Sequence, residues 1–292
     1  MKTKVILDTD IGNDIDDAVC LAYLLAQPDC ELLGITTVSG EPIERAKICS
    51  VLTKIAGKEI PIYPGLDTPL LTEQHQKTVP QADRLLNWEH DTEFPEAKAI
   101  SFLQDTVRKN PGEVVLLTIG GLTNTALLFA MDPEIPSLLK SLVMMVGVFT
   151  NRVIGRGGVE WNAGQDPYAT SIMYRHEAAV HRSVGLDVTA QVKMDKEQVR
   201  ERFQHPLLKP VLDFADVWFG HRDIITFHDP LAAATIFDDD ICEFETGNVE
   251  VELQSDRLRG MTHWRADPEG RHQVAMEVNP ERFFEHYFSV FT

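Results

Sequence analysis

The sequence predicts an α/β domain with an open, mostly parallel sheet flanked by helices and a small antiparallel extension near the C-terminus. Short apolar runs such as Val5-Ile6-Leu7 are continuous rather than alternating, which is typical of parallel strands buried on both faces. These runs alternate with segments whose apolar residues recur at helical spacing, the order that places helices on both faces of a sheet. No repeat, low-complexity tract or linker divides the chain, so we expect one domain over residues 1–292.

The first half of the chain carries most of the predicted sheet. Pro28 ends the first helix, and Pro42 suits the first turn of the second. The segment 66–95 is polar and long for a loop, so it is either functional or partly helical. The predicted elements are strands at 5–7, 32–38, 60–63, 113–119 and 141–147, and helices at about 15–27, 42–57, 96–109 and 122–131.

The second half is less regular. Residues 150–166 are irregular and rich in glycine, namely Gly155, Gly157, Gly158 and Gly164. A helix at about 167–176 and a strand near 178–186 follow, and then a mainly helical stretch, 195–237, that breaks near Pro206 and around 221–227. Several short strands with alternating polarity are predicted within 241–278, and a helix from Pro280 closes the chain.

The charge of the chain restricts its partners. The formal net charge is −18, with 45 acidic against 27 basic residues, and such a field repels phosphate backbones and anionic membranes. Nucleic acid and membrane partners are therefore not expected, whereas a neutral small molecule or a metal cation is compatible with the charge.

Cysteine usage and the N-terminus predict a cytoplasmic protein. The four cysteines, Cys20, Cys30, Cys49 and Cys242, form no CxxC pair and have apolar neighbours, so we expect buried thiols rather than zinc ligands or disulfides. The opening MKTKVILDTD is too short in apolar residues for a signal peptide, and no apolar run reaches the 18 residues of a membrane span.

An acidic cluster leaves the first strand and enters the first helix. The segment DTDIGNDIDDA, residues 8–18, contains five carboxylates, Asp8, Asp10, Asp14, Asp16 and Asp17. Charges this close repel one another, and a helix N-terminus offsets only one or two of them. A divalent cation would offset the whole cluster, and ligands that are all oxygen favour Ca²⁺ or Mg²⁺ over Zn²⁺.

The same segment resembles the nucleoside hydrolase signature, DxDPGxDDA. It differs in having Ile11 for proline and two extra residues before the Asp16-Asp17 pair. Four further stretches resemble that family in its order: LLTIGGLTNTA at 116–126, LVMMVG at 142–147, VEWN at 159–162 and FHDP at 227–230. Their joint order identifies the chain as a member of a divergent branch of the inosine-uridine preferring nucleoside hydrolases.

The resemblance implies an enzyme that hydrolyses the N-glycosidic bond of ribonucleosides to ribose and free base. It implies Ca²⁺ as cofactor and water as nucleophile, held by calcium and activated by Asp10. His228 is implied as the proton donor to the leaving base, and a homodimer or homotetramer as the assembly. The implied metal ligands are Asp10, Asp17, the backbone carbonyl of Ile119, and Asp229.

Substrate contacts are implied by the same motifs. They are Asp16, Asp14, Glu41, Met145, Glu160 and Asn162. The two extra residues leave open whether Asp14 or Asp16 contacts ribose. Glu41 stands where the family carries asparagine, so it either binds a ribose hydroxyl or water, or it is inert.

The side of the site that would recognise the base is not predicted. The family's His-Gly motif is absent from 75–92, and Trp218, His221 and Arg222 are the remaining candidates for contacts to the base. Core packing is an equally good interpretation of the tryptophan.

Taken singly, the motif residues have ordinary interpretations. Met145 is a typical core residue, Glu160 is typical of a solvated loop, and His228-Asp229 before Pro230 suits a helix N-terminus.

Two other functions compete with nucleoside hydrolysis. A magnesium phosphohydrolase of the haloacid dehalogenase type also uses an Asp-x-Asp after its first strand and a later threonine, as in Asp8, Asp10 and Thr118. That mechanism needs a lysine beside a later acidic pair, and the run at 238–240 has none nearby. The other alternative is a non-catalytic protein that binds calcium or ribose. Release of reducing sugar from a nucleoside distinguishes the nucleoside hydrolase from both alternatives.

Overall fold

A nine-stranded sheet organises the computed structural model, which describes residues 1–150 and 158–292. Its strand order is β10-β9-β11-β6-β5-β4-β1-β2-β3, parallel from β11 to β3 and antiparallel at β9 and β10. This arrangement confirms the predicted fold class. The strands are β1 (Thr3–Thr9), β2 (Cys30–Thr37), β3 (Ile62–Pro64), β4 (Val114–Thr118), β5 (Ser141–Met144), β6 (His181–Ser183), β7 (Lys193–Asp195), β8 (Ile224–Thr226), β9 (Cys242–Val251), β10 (Thr262–Ala266) and β11 (His272–Val278).

Helices cover both faces of the sheet. They are α1 (Asp16–Ala26), α2 (Pro42–Ile55), α3 (Ala99–Lys109), α4 (Thr123–Met131), α5 (Ile135–Leu138), α6 (Trp161–Gln165), α7 (Pro167–Arg175), α8 (Leu186–Thr189), α9 (Lys196–Arg202), α10 (Leu208–Trp218), α11 (His228–Ala234) and α12 (Pro280–Ser289). Short 3₁₀ helices lie at Pro80–Asn87 and Asp239–Ile241. None of the helices in the described ranges is long and apolar enough to cross a lipid bilayer.

Strand β1 shows why the sequence carries continuous apolar runs. Val5 and Leu7 point into one hydrophobic core, while Ile6 points into the core on the opposite face. Because both faces are covered, neither set of side chains can be polar. The four cysteines are buried free thiols, as predicted.

Several predicted elements differ from the structure in extent. Strand β5 ends at Met144 because the chain turns at Gly147, whose φ is +92°, and β6 is likewise shorter than its apolar run. Strand β9 is ten residues long rather than short. Gly155 and Gly157 lie outside the described residues, whereas Gly164 is helical.

Two predicted regions contain structure that the sequence pattern did not separate. The segment 66–95 is partly helical, with the 3₁₀ helix at its centre. The break around 221–227 is strand β8, which pairs antiparallel with β7 outside the main sheet. Strands of three residues are too short for a periodicity to distinguish them from loops.

The order of the strands brings the predicted motifs together. Strands β1, β2, β4 and β5 are neighbours, and their carboxyl ends lie at the same edge of the sheet. Ligands bind at this edge in open α/β sheets.

Candidate active site

A compact group of three acidic side chains forms the centre of the site. Asp16 and Asp17 lie in the first turn of α1, and Asp229 lies in the first turn of α11. Each offers a carboxylate oxygen, and these atoms all lie within 4.8 Å of one another. All three are buried, and the backbone N–H of Asp229 donates to Oδ2 of Asp16 at 3.3 Å.

This group, called the acidic triad below, can bind a metal ion. Burial, and then the repulsion between the carboxylates, raises the pKa of all three aspartates well above the usual range. Buried charges of one sign are costly unless a counter-charge compensates them. Carboxylate oxygens suit a hard divalent cation, so the donor set fits the predicted metal chemistry.

Asp10 adjoins the acidic triad. It is buried, and burial raises its pKa, while the nearby Arg45 guanidinium acts in the opposite direction. Its charge raises the pKa of each member of the triad, which places it in the same electrostatic environment. The closest group therefore contains Asp16, which the resemblance assigns to ribose, with Asp10 beside it.

Asp8 has a different environment from its acidic neighbours. Its Oδ1 accepts hydrogen bonds from Thr36 Oγ1 and from Asn124 Nδ2, the latter at 2.7 Å, so it links β1 to β2 and α4. Burial raises the pKa of Asp8 to about 7.

Three of the other predicted residues meet through one amide. Asn162 Nδ2 donates to the backbone carbonyl of Ile119 at 2.8 Å and to that of Met145 at 3.0 Å. The ends of β4 and β5 are thereby connected to α6. All three residues are buried.

Glu160 is the N-cap of α6 and is not solvated. Its Oε1 accepts from Asn162 N at 2.7 Å, and its Oε2 accepts from Gly147 N at 3.0 Å and from Ala163 N at 2.9 Å. The side chain is buried, so its interpretation as an ordinary exposed loop residue is wrong. These bonds fix the carboxylate beside the strand end that carries Met145.

Asp14 and Glu41, whose contacts with substrate the sequence did not decide, lie nearer the surface. Asp14 is half-buried, and its Oδ1 accepts from the backbone N–H of Ile15 at 2.7 Å. Glu41 is exposed and has a left-handed backbone with a φ of 58°. Its Oε2 accepts from Val79 N at 3.1 Å.

Comparison with known proteins agrees with this geometry. The family model described as "Inosine-uridine preferring nucleoside hydrolase" matches residues 5–285. The chain belongs to this family. The match extends beyond the motifs, which lie between residues 8 and 230, and includes β9, β10, β11 and part of α12.

Curated relatives of this nucleoside hydrolase align over most of their length. The inosine-uridine preferring nucleoside hydrolase of Crithidia fasciculata is 29% identical over 97% of this chain and 96% of its own. Probable uridine nucleosidase 2 of Oryza sativa subsp. japonica is 30% identical over 90% of this chain and 84% of its own. Among solved structures, a purine-preferring ribonucleoside hydrolase from Gardnerella vaginalis has a TM-score of 0.85 at 26% identity, covering 99% of this chain and 98% of its own.

Family membership decides between the competing functions. The chain is an enzyme that hydrolyses ribonucleosides, as the order of the motifs predicted. The phosphohydrolase and the non-catalytic binding protein are not favoured, because the whole chain matches nucleoside hydrolases.

A buried arginine of this nucleoside hydrolase was missed by the sequence motifs. The Arg45 side chain is completely buried. Its Nη1 donates to the carbonyls of Asp10 and Ile11, the latter at 2.9 Å, and to Asn13 Oδ1 at 3.0 Å. A signal was available, because Arg45 lies on the same helical face as the buried Ile48, Cys49 and Leu52.

Two glutamines also donate hydrogen bonds to the same loop. Gln76 Nε2 donates to Asn13 Oδ1 at 2.9 Å, and Gln81 Nε2 donates to the carbonyls of Asn13 and Asp14 at 3.1 and 2.9 Å. Both glutamines come from the polar segment 66–95, which is partly helical and contacts the acidic loop. Together with Arg45 they support the loop that is longer by two residues than the family signature.

His228 and the candidates for contacts to the base occupy different surroundings. His228 is half-buried at the start of α11, and its Nδ1 lies 2.7 Å from Thr189 Oγ1. Trp218 donates its indole N–H to the Ile224 carbonyl in β8. His221 and Arg222 are exposed beside it.

Proposed function

We propose that this nucleoside hydrolase uses one Ca²⁺ and Asp10 to hydrolyse the N-glycosidic bond of ribonucleosides. The supporting observation is the buried acidic triad at the carboxyl edge of the sheet, with Asp10 beside it. Asp10, Asp17, Asp229 and the Ile119 carbonyl are the proposed ligands. Carboxylates combined with a backbone carbonyl are typical of calcium. When bound, the ion supplies positive charge and a fixed position for the attacking water.

Asp10 is the proposed general base. It accepts a proton from the water that attacks the anomeric carbon, while the bond from that carbon to the base nitrogen breaks. Burial raises the pKa of Asp10 above the usual range of a carboxyl group, which strengthens it as a proton acceptor. The buried carboxylates also stabilise the positive charge that develops on the sugar ring.

Asp16 is the proposed ribose contact rather than Asp14. Its carboxylate is buried within the acidic triad, whereas Asp14 is half-buried and already bonded to Ile15 N. The proposed sugar site also contains Asn162, Glu160 and Met145. Asn162 is hydrogen-bonded to Glu160 and to the carbonyls of Ile119 and Met145 at the adjoining strand ends. Glu41 is proposed to support Val79 rather than to bind substrate.

His228 is the proposed donor to the leaving base. A purine or pyrimidine anion leaves slowly unless it receives a proton or a hydrogen bond, and histidine is suited to this role. The proposal is supported by the sequence position of His228, which directly precedes Asp229 of the acidic triad.

The test is ribose release from inosine and from uridine, measured as reducing sugar in calcium-loaded and chelated enzyme. Inosine carries a purine base and uridine a pyrimidine base. The names of the relatives mention these two nucleosides as substrates of those proteins. Ribose release that requires calcium is expected. Release that survives full chelation contradicts the calcium role, and no release from a wider nucleoside panel contradicts the proposed substrate class. The homodimer or homotetramer stays a prediction, which light scattering can test.

A further inference from the structure

The Thr189 hydroxyl faces the imidazole of His228 across two separate elements. Thr189 is the last residue of α8 and His228 is the first of α11, and Thr189 Oγ1 lies 2.7 Å from His228 Nδ1. Thr189 is completely buried, so water does not compete for this hydroxyl. No motif in the sequence drew attention to Thr189.

Backbone hydrogen bonds hold the two residues in this register. Val192 N donates to the Thr189 carbonyl at 3.0 Å, and Phe227 N donates to the Val192 carbonyl at 2.9 Å. Phe227 precedes His228 and is itself completely buried. The contact between hydroxyl and imidazole thus completes a closed set of hydrogen bonds whose other members are main-chain groups. A rigid framework of this kind favours one orientation of the imidazole.

The contact fits a Thr189 hydroxyl that donates its hydrogen to an unprotonated His228 Nδ1. A buried hydroxyl normally donates its hydrogen, and His228 Nδ1 is the acceptor that the described residues provide for Thr189. When Nδ1 accepts, the hydrogen of a neutral imidazole is on Nε2. The ring nitrogen directed away from Thr189 is then a hydrogen-bond donor.

We propose that Thr189 is a positioning residue that fixes the ring orientation and the Nε2–H tautomer of His228, so that Nε2 donates to the leaving base. This inference rests on the proposed role of His228. In this proposal Thr189 acts through His228 and is not itself a ligand of the substrate or the metal.

The first test measures the tautomer in the wild-type enzyme. ¹⁵N chemical shifts of the histidine rings distinguish a protonated from an unprotonated nitrogen, and the signal missing from His228→Ala identifies His228. We expect the hydrogen on Nε2 in the purified wild-type enzyme. A hydrogen on Nδ1 would overturn the proposal, whatever the enzyme hydrolyses.

The second test uses Thr189→Val, which keeps the side-chain shape and removes the hydroxyl. We expect turnover of inosine and uridine to fall about tenfold, roughly the effect of one lost hydrogen bond. p-Nitrophenyl riboside, whose leaving group needs no donor, should change less than about twofold. Thr189→Ser keeps the hydroxyl, so its turnover of inosine and uridine should stay close to that of the wild type.

Thr235→Val is the matched control. Thr235 is also buried, follows the same helix α11, and donates its hydroxyl to the Ala232 carbonyl at 2.8 Å. Thr235→Val should leave the turnover of natural nucleosides and of p-nitrophenyl riboside unchanged. Equal losses on natural and nitrophenyl substrates in Thr189→Val would show general damage and overturn the positioning role. If instead His228→Ala spares natural nucleosides, the proposed function of His228 fails, while the tautomer measurement still decides the geometry.

Discussion

Asn162 donates one hydrogen bond to the carbonyl of Ile119 and another to the carbonyl of Met145, from the same amide nitrogen. A carbonyl oxygen has two lone pairs, so Ile119 can accept from Asn162 and still bind a cation. The amide then orients a proposed metal ligand and holds the floor of the proposed sugar site at the same time. Metal binding and sugar binding should therefore be linked through this side chain.

Replacing Asn162 by alanine tests that link. Loss of a group that orients a metal ligand typically weakens metal binding about 10- to 100-fold, and we expect a loss of this size for calcium. The Michaelis constant for ribonucleosides should rise in calcium-saturated enzyme, because the sugar site loses its support. Calorimetric titration measures the first effect and steady-state kinetics the second. Unchanged calcium affinity would separate Asn162 from the metal site.

Asp10→Asn keeps the size of the side chain and removes its basicity. Turnover should fall by roughly 10²–10⁴, as expected for a lost general base, with the circular dichroism spectrum unchanged. The control is Asp105→Asn, on the exposed face of α3, which should have normal turnover. Near-normal turnover in Asp10→Asn would assign the base elsewhere.

Asp229→Asn should abolish the stabilisation that calcium provides. Ligand binding to the folded state raises the melting temperature of the wild type in proportion to the logarithm of calcium concentration. The variant loses one member of the acidic triad, so its melting temperature should hardly respond to calcium. Elemental analysis should give about one calcium per wild-type chain. Stoichiometric zinc in the wild type would refute the calcium assignment.

His228→Ala should slow the hydrolysis of natural nucleosides far more than the hydrolysis of p-nitrophenyl riboside. The nitrophenolate leaves without a donor, whereas a purine or pyrimidine anion does not. The quantity to measure is the ratio of the two losses in turnover. A ratio near one would mean that His228 only supports Asp229, because damage to the metal site slows both substrates together.

His181 should make the folded state sensitive to acid. It is completely buried, stacked on Tyr174 with ring centroids 5.3 Å apart, and burial lowers its pKa from 6.5 to about 3. As the pH falls below about 6.5, the unfolded chain binds this proton before the folded one does. The contribution to stability is complete above that pH and is lost as the pH falls toward 3.

His181→Phe keeps the stacked ring and removes the proton site. The free energy of unfolding of the variant should fall less between pH 6.5 and pH 4 than that of the wild type, as measured by urea titration. His75→Phe, at an exposed position, is the control and should follow the wild type. Identical pH dependence in His181→Phe and wild type would rule out this linkage.

The sequence predicted those parts of the fold and site that depend on neighbouring residues. The apolar run of β1 and the carboxylates after it are local features, so the strand, the acidic loop and the start of α1 were predicted together. Helix α2 begins at Pro42 as predicted, since proline fits a first helical turn. The buried acidic group at the sheet edge follows from the same chemistry.

The unpredicted parts depend on contacts between distant segments. Arg45 binds main-chain carbonyls of the acidic loop. Every residue has such a carbonyl, so the sequence does not indicate which ones the arginine binds. Thr189 faces His228 only because α8 and α11 are neighbours in the fold. Strands β7 and β8 stabilise each other by pairing, so neither is recognisable alone.

The acidic triad also has a consequence for protein synthesis. Asp16 and Asp229 are 213 residues apart, and the ribosome adds roughly 5–20 residues per second, so Asp16 and Asp17 emerge about 10–40 s before Asp229. During that interval the nascent chain carries the acidic loop without Asp229, so the calcium site is incomplete. Arg45, which binds this loop in the folded protein, emerges early in this period. Ribosome-bound chains that stop before α11 should therefore bind calcium weakly, and the full site should form only after the α11 residues have left the exit tunnel.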